Sequence, residues 1–507
     1  MVEARARLVS RVVAAAVLAG WLLLAGPLGA LAGPPASLDE ALSGFEETPS
    51  KKEAAPAKLD RALDGFDQAP AEAEGKGDLD DALKGFGDEA DAVSQASPRL
   101  IKKPDWLDWK GSLSLAGAVN FTHQAPEEGR IDQRGLSKLR TEADLEANFR
   151  LPGSWRARLS GHAFFDWAYS LRGREDYPDD FLEIYEREAE LDEVWLQGRL
   201  LPSLDLKVGR QIVVWGKSDN IRVTDVLNPL DNRLPGLTDI EDLRLPAAMT
   251  KLDYYFGDWN LSGIVVHEPR QPKTPVLGSD FYPAASAQPS QDKPSIGLDN
   301  QEFGLALNGV FTGWDLSLYA ASIFDDQAHL ELAPKGLKRR QSRLTMAGLA
   351  LAVARGCWLV KAEAAWLSGL EFTARPGREK SRLDLLLGLE YSGFSETTIS
   401  LEAANRHLFD WEEELAGGIE DAREDDFQWA LRLSRDFLHD RLTLTLVAAV
   451  FDLLGSGGAF ERLQIDYDWT DHLGLRVGLL TYQSGEKLFL RDAAECDRVF
   501  FEVKYSF

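Results

Sequence analysis

The sequence predicts an all-β fold: a transmembrane, antiparallel, up-and-down β-barrel of about 18 strands behind a disordered, short-helical N-terminal tail. Three observations carry this. Apolar and polar residues alternate with period two from Trp106 to the C-terminus. The links between the alternating segments are brief after every even segment and mostly longer after odd ones, as barrels with short inner turns and long outer loops require. Trp recurs beside the brief links, at Trp155, Trp259, Trp314, Trp358 and Trp469, where an amphipathic ring suits a membrane–water boundary.

Composition agrees. The 507 residues hold 14 Trp, 24 Phe and 43 Gly but only 3 Met, with a mean hydropathy of -0.24. That is too polar for a membrane protein built of helices, yet natural where lipid-facing and lumen-facing side chains alternate. A formal charge of -26 excludes nucleic-acid binding, which needs a basic face.

Residues 1–32 read as a secretory signal: Arg5, Arg7 and Arg11 precede the apolar run from Val12 to Ala25, and Ala30-Leu31-Ala32 offers a small-residue cleavage site. A retained signal anchor is the alternative. No later apolar run is long enough for a helical span, so any crossing is made by strands.

Residues 33–105 form an acidic, low-complexity tail that cannot bury enough apolar surface to fold alone. Three copies of L-D-x-A-L-x-G-F lie inside it, and each places Leu, Ala, Leu and Phe on one face of a two-turn helix ended by Gly. Such a helix is marginal in water. Leu38, Leu42, Phe45, Leu59, Leu63, Phe66, Leu79, Leu83 and Phe86 are therefore candidate contacts to a periplasmic protein, repetition raising effective concentration. The bland alternative is a solvated spacer.

The barrel domain spans residues 106–507. Its eighteen segments lie near 109–121, 138–150, 155–169, 186–200, 204–215, 247–256, 259–268, 300–311, 314–325, 343–354, 358–368, 381–392, 396–407, 426–437, 440–452, 459–469, 472–483 and 498–507. Tail and C-terminus both belong on the inner side, which makes the number even. The last segment points Val499, Phe501, Val503, Tyr505 and Phe507 one way, and its terminal Phe resembles the signal read by barrel-assembly machinery.

Alternation assigns Arg156, Arg158, His162 and Asp166 to the lumen, with charges of both signs elsewhere around the wall, among them Glu402, Arg406 and Arg462. A barrel of this size leaves an aqueous channel unless something plugs it. The segment from Leu204 raises a difficulty, because strict alternation sends Arg210 toward lipid, at roughly 2–4 kcal/mol at the midplane. Either Gly209 permits a bulge or Arg210 sits near the headgroups; a bulge would gather Glu193, Lys207 and Arg210 in the lumen. The connection pattern puts Trp215 at the outer end of strand five. Residues 216–245 then enter the pore only by folding back, with Arg222, Asp225, Asp231, Arg233 and Arg244 as candidate constriction residues.

The run Gly209-Arg210-Gln211-Ile212-Val213-Val214-Trp215-Gly216, continued by Asp225-Val226-Leu227-Asn228-Pro229-Leu230-Asp231, resembles a porin-like family of outer-membrane proteins of unknown function. Some members are encoded near RND-type exporters of hydrophobic molecules. The resemblance implies a transport barrel and an RND-type exporter as partner; the tail repeats are not part of that family's pattern.

No Walker loop, HExxH, GxSxG or CxxC is present, so no enzyme, cofactor or metal site is expected. Ser160 beside His162 is the one pair on which an outer-membrane hydrolase reading rests. Cys357 falls in an inner turn and Cys496 in an outer loop, too far apart for a disulfide. The acidic run from Phe409 to Asp426 lacks calcium-loop spacing and reads as a solvated surface beside lipopolysaccharide. The sequence thus points to an outer-membrane channel for small or hydrophobic solutes, in a Gram-negative envelope with its tail in the periplasm. A plugged, tethering barrel and a hydrolase are the alternatives.

Overall fold

The computed structural model describes residues 104–126, 131–282, 289–334, 336–416, 420 and 422–507. The signal segment and the tail with its repeats lie outside them. Eighteen strands close into one antiparallel barrel. They are β1 (Leu107–Asn120), β2 (Gly135–Arg150), β3 (Arg156–Asp166), β4 (Arg187–Leu201), β5 (Leu204–Gln211), β6 (Ala247–Phe256), β7 (Trp259–Val266), β8 (Glu302–Phe311) and β9 (Trp314–Phe324). After a separate hairpin of β10 (His329–Ala333) and β11 (Gly336–Arg340), the wall resumes with β12 (Arg343–Arg355), β13 (Trp358–Phe372), β14 (Arg375–Phe394), β15 (Thr397–Leu408), β16 (Asp425–Phe437), β17 (Leu442–Phe451), β18 (Gly458–Asp468), β19 (Leu473–Gln483) and β20 (Arg498–Ser506). Each wall strand pairs with its neighbours in sequence, and β1 pairs with both β2 and β20, which removes every free edge.

Period two decides which side chains face in. Along β13, Trp358, Val360 and Trp366 are exposed on the outside, while Lys361, Glu363, Ala365 and Leu367 are buried on the inside. In β20 the exposed apolar residues are Val499, Phe501, Val503 and Tyr505. The outside is therefore a continuous apolar belt, far larger than a soluble monomer shows. Aromatics crowd its short-turn rim: Trp314 stacks on Phe311 at 4.3 Å, Trp259 meets the same ring edge-on at 5.3 Å, and Trp358 lies 4.5 Å from Tyr391.

Strand boundaries differ from the sequence expectation at several places, most at the start of β14, and two of the differences bear on the lumen. β3 stops at Asp166, because that carboxylate accepts the Ala168 N–H (3.1 Å) and caps a short helix, α1 (Trp167–Arg172), which Gly173 ends at φ 98°. Asp166 is thus a buried cap that also accepts the Leu139 N–H (2.9 Å), not a lumen-lining group. β5 stops at Gln211 rather than continuing to Trp215, since the Val213 N–H donates to the Asn228 side chain (2.8 Å) and the chain turns inward.

The bulge also lies elsewhere. The β4–β5 register runs without a shift through Gly209, whereas the β3–β4 register shifts opposite Ser160, pairing Leu159 with Val194 and Gly161 with Leu191. The extra residue turns both Asp192 and Glu193 inward. Gly209 is needed for a different reason: at φ 128° it brings the wall so close that a Cβ there would lie 2.2 Å from the Val194 carbonyl oxygen.

Much of the lumen is filled. The largest apolar cluster joins Val213, Trp215, Ile221, Val223 and Leu227 from the β5–β6 loop to wall residues such as Met249, Met346 and Leu367. Both thiols are free, Cys357 exposed in a short turn and Cys496 buried among the long loops.

Candidate site: a loop latched across the barrel lumen

Residues 212–246 leave β5, cross the lumen and return to β6. A buried Asn228 joins the two ends of this loop: its Oδ1 accepts from Val213 N, and its Nδ2 donates to the carbonyls of Gln211 (3.2 Å) and Leu245 (2.9 Å). Trp215 stacks on Tyr319 of β9 at 4.7 Å, and the Tyr319 hydroxyl accepts the Gly216 N–H (3.1 Å).

Two carboxylates from the far wall then hold the loop by its backbone. Glu363 of β13 accepts from Lys217 N (2.6 Å), Ser218 N (2.8 Å), Thr224 N (3.1 Å) and the Thr224 hydroxyl (2.7 Å). Glu402 of β15 accepts from Asp219 N (2.8 Å), Asn220 N (2.9 Å) and Ile221 N (3.2 Å). The reason is the accounting of backbone donors: a loop inside a barrel has no ladder partner, and an ionised carboxylate satisfies several N–H groups at once. Gly216, at φ 86°, is required here, since a Cβ would fall 2.7 Å from the Glu363 carboxylate. Lys361, beside Glu363, bonds Asp219.

The returning half is held by ion pairs. Asp225 accepts from Trp215 N (3.3 Å) and pairs with Arg222 (3.4 Å) and Arg244 (2.8 Å), bracing the loop against itself. Asp231 pairs with Arg233 (2.5 Å), which also reaches Glu188 of β4 (3.0 Å). Asp239 is clamped by Arg432 of β16 (2.9 Å) and by Arg462 of β18. Burial would raise the Asp239 carboxyl, but the two guanidiniums outweigh it and hold it below the usual carboxylate range. The Tyr482 hydroxyl donates to the Pro235 carbonyl (2.6 Å).

A second charged cluster lines the β3–β5 side. Arg158 pairs with Glu193 (3.0 Å), and Lys207 lies 3.9 Å from Glu193 and 4.3 Å over the Trp195 ring. Arg210 does not join them: its guanidinium bonds Glu190 (2.6 Å) and the carbonyls of Leu191 (2.7 Å) and Pro246 (3.2 Å), filling the gap that short β5 leaves in the wall. Arg270 and Lys273 of the β7–β8 loop converge on Glu190, which ties that loop to the same wall. His162 is bracketed by Asp192 (2.9 Å) and Glu188 (3.1 Å), while Ser160 accepts the Glu193 N–H (3.0 Å); each is engaged away from the other. Arg156 lies exposed near the short turns, opposite Gln197.

Space remains on both sides of the loop. A cavity of about 570 Å³, bounded by Lys217, Asp219, Asp239, Glu390, Ser400 and Arg432, opens on the short-turn side. Another of about 380 Å³, bounded by Phe281, Tyr282, Phe372, Arg382, Arg406 and Phe489, opens on the long-loop side. Arg406 spans the division by donating to the Arg222 carbonyl (3.2 Å).

Alternation alone puts Glu402 inside, but nothing local to it announces a docking loop. Glu363, Asn228 and Asp239 are not among the residues the sequence predicts. The available signal for Glu363 is Lys361 and Glu363 at successive inward positions of a strand otherwise rich in Ala and Trp; for Asn228 it is the Asn-Pro pair at the middle of the loop.

No curated protein matches the chain. Among solved structures, a BenF-like porin from Pseudomonas fluorescens Pf-5 aligns at 13% identity over 79% of this chain and 98% of its own, with a TM-score of 0.48. OccK9 (OpdG) of Pseudomonas aeruginosa aligns at 15% over 79% and 97%, TM-score 0.48, and OccAB2 of Acinetobacter baumannii at 12% over 79% and 98%, TM-score 0.44. Residues 116–507, from inside β1 to the last residue, match the family described as "Protein of unknown function (DUF1302)", and the chain belongs to that family.

Proposed function

We propose that this protein is an outer-membrane channel in which small solutes, hydrophobic ones included, pass a constriction formed by residues 212–246. The observation that carries the reading is the latch: the loop crosses the lumen on Glu363 and Glu402, with a cavity toward the short turns and another toward the long loops rather than solid packing. The outward apolar belt with its aromatic rim supports a bilayer as the surrounding medium, contacting lipid and, at the long loops, lipopolysaccharide. Arg158, Glu193, Lys207, Arg222, Asp225, Asp231, Arg233 and Arg244 would set the electrostatics of the path, and the aromatic edges of the outer cavity would accept an apolar solute face. The tail would reach a periplasmic protein, with an RND-type exporter as one candidate.

The number of ion pairs across the lumen favours a second reading, a barrel closed at rest that anchors its tail. Planar-bilayer conductance and liposome swelling separate the two. A channel conducts, and more so once residues 217–224 are replaced by a short Gly-Ser linker; a barrel silent both before and after that change refutes the channel.

A further inference from the structure

Three long loops meet where β1, β20 and the β7–β8 connection come together. His123 follows β1, Asp280 lies in the β7–β8 loop, and Cys496 lies two residues before β20. A ring nitrogen of His123, an Asp280 carboxylate oxygen and the Cys496 sulfur all lie within 4.8 Å of one another. His123 Nε2 and Asp280 Oδ1 are 3.6 Å apart, beyond hydrogen-bond length, and both are buried with no hydrogen-bond partner among the described residues. The Asp280 side chain is only 8% exposed. Its other oxygen is fully engaged by Asn120 (3.0 Å) and Arg498 (2.9 Å), which fixes Oδ1 toward the histidine.

We propose that His123 Nε2, Asp280 Oδ1 and Cys496 Sγ form a three-ligand site for Zn²⁺ or a similar borderline divalent ion, with water in the fourth position. The donor set is imidazole, carboxylate and thiolate, the classes that Zn²⁺ takes. Bond lengths of about 2.0–2.3 Å around a tetrahedral ion separate neighbouring donors by roughly 3.3–3.6 Å, so the observed 3.6 Å edge needs little adjustment. The second histidine nitrogen, Nδ1, faces the Glu495 carboxylate at 4.0 Å, an ion-pair separation that must close to a hydrogen bond before it orients a metal-bound imidazole. Binding expels the thiol proton to solvent and leaves a thiolate on the metal.

The ion would cross-link three loops. Phe281, next to Asp280, packs on Tyr482 at 5.2 Å, and Tyr482 holds the Pro235 carbonyl of the lumenal loop. Metal at the rim therefore stiffens contacts that reach the constriction.

The test is Co²⁺ titration of the full-length, metal-free protein in detergent. One equivalent should produce a thiolate-to-cobalt charge-transfer band, displaced by Zn²⁺, lost in Cys496→Ser and His123→Ala and retained in Cys357→Ser. Since Cys496→Ser could disturb folding, alkylation is followed in the Cys357→Ser protein: Zn²⁺ should slow labelling of Cys496 at least tenfold, and His123→Ala should abolish the protection. No charge-transfer band in folded protein, or protection that persists without His123, overturns the site. Neither readout depends on conductance, so the site and the channel stand or fall separately.

Discussion

Glu363→Gln is the sharpest perturbation of the latch. The carboxylate takes two donors on each oxygen, Lys217 N and Ser218 N on one, Thr224 N and its hydroxyl on the other. A Gln offers one acceptor oxygen and sets an NH₂ group against two of the four donors. Two charge-assisted bonds are lost at roughly 1.5–3 kcal/mol each, or ~3–6 kcal/mol. With tenfold per ~1.4 kcal/mol, the undocked fraction of residues 217–224 rises by roughly 10²–10⁴. Hydrogen exchange should show it directly as faster exchange of the Lys217, Ser218 and Thr224 amides, with the strand amides of β13 unchanged. Single-channel records should show added open-state noise or a higher mean conductance. Unchanged exchange at those three amides would refute the reasoning, because the barrel would then hold the loop by its apolar contacts alone.

Other expectations follow from the same geometry. Asn228→Ala leaves the Val213 N–H and the Gln211 and Leu245 carbonyls unpaired in a buried place; a loss of roughly 3 kcal/mol or more should lower the unfolding temperature read from heat-dependent gel mobility. Gly209→Ala forces a Cβ to within 2.2 Å of a carbonyl oxygen at φ 128°; a cost of at least ~1–3 kcal/mol should reduce the yield of folded barrel, whereas Gly263→Ala, within β7 with open space and no positive φ, should not. The Asp239 clamp has a sign in pH. Its carboxyl is depressed in the folded state, so its contribution is present above the ordinary carboxylate range, about 4, and is lost as pH falls through the lower folded value. The part of an acid-induced rise in conductance that comes from this clamp should therefore appear only below the ordinary carboxylate range, and Arg432→Gln should move that part to higher pH.

The wall is legible in the sequence because its signals are local. Period two, brief turns and Trp beside them are properties of a few adjacent residues, and they locate all eighteen wall strands, including the outward and inward faces of β13 and β20. The misplaced features are the ones that depend on partners far away in sequence. Asp166 fits a lumenal pattern until Ala168 turns into a helix and needs a cap. Arg210 fits a lipid-facing position until β5 is seen to end one residue later and leave Leu191 and Glu190, paired with β3 on one side, without a strand on the other. Gly209 is a sound candidate for a bulge, yet the extra residue sits in β4, where two acidic side chains in succession could both be turned inward without cost in lipid. The hairpin of β10 and β11 lies inside a stretch that reads as loop. The absence of a metal motif in the sequence is equally a statement about local spacing, and His123, Asp280 and Cys496 have none.

The motif that carries the family resemblance gains a physical meaning from the same contrast. Its glycine at 216 is the only residue type that fits against Glu363, its Asp225 braces Arg222, Arg244 and Trp215 N, and its Asn228 joins the two loop ends. These residues act within the loop, so their spacing survives in one stretch of chain and can be recognised there. Their counterparts, Glu363, Glu402, Arg432 and Arg462, come from strands 139 to 223 residues away and leave no pattern beyond a charge at an inward position. A loop that must live inside a barrel needs both sets, because it brings backbone donors into a space with no ladder to satisfy them. If the wall charges existed only to wet the lumen, exchanging Glu363 and Lys361 would preserve the polarity and the loop would stay. The geometry predicts the opposite: Lys offers the Lys217, Ser218 and Thr224 amides no acceptor, so the exchanged protein should fold its wall and release its loop.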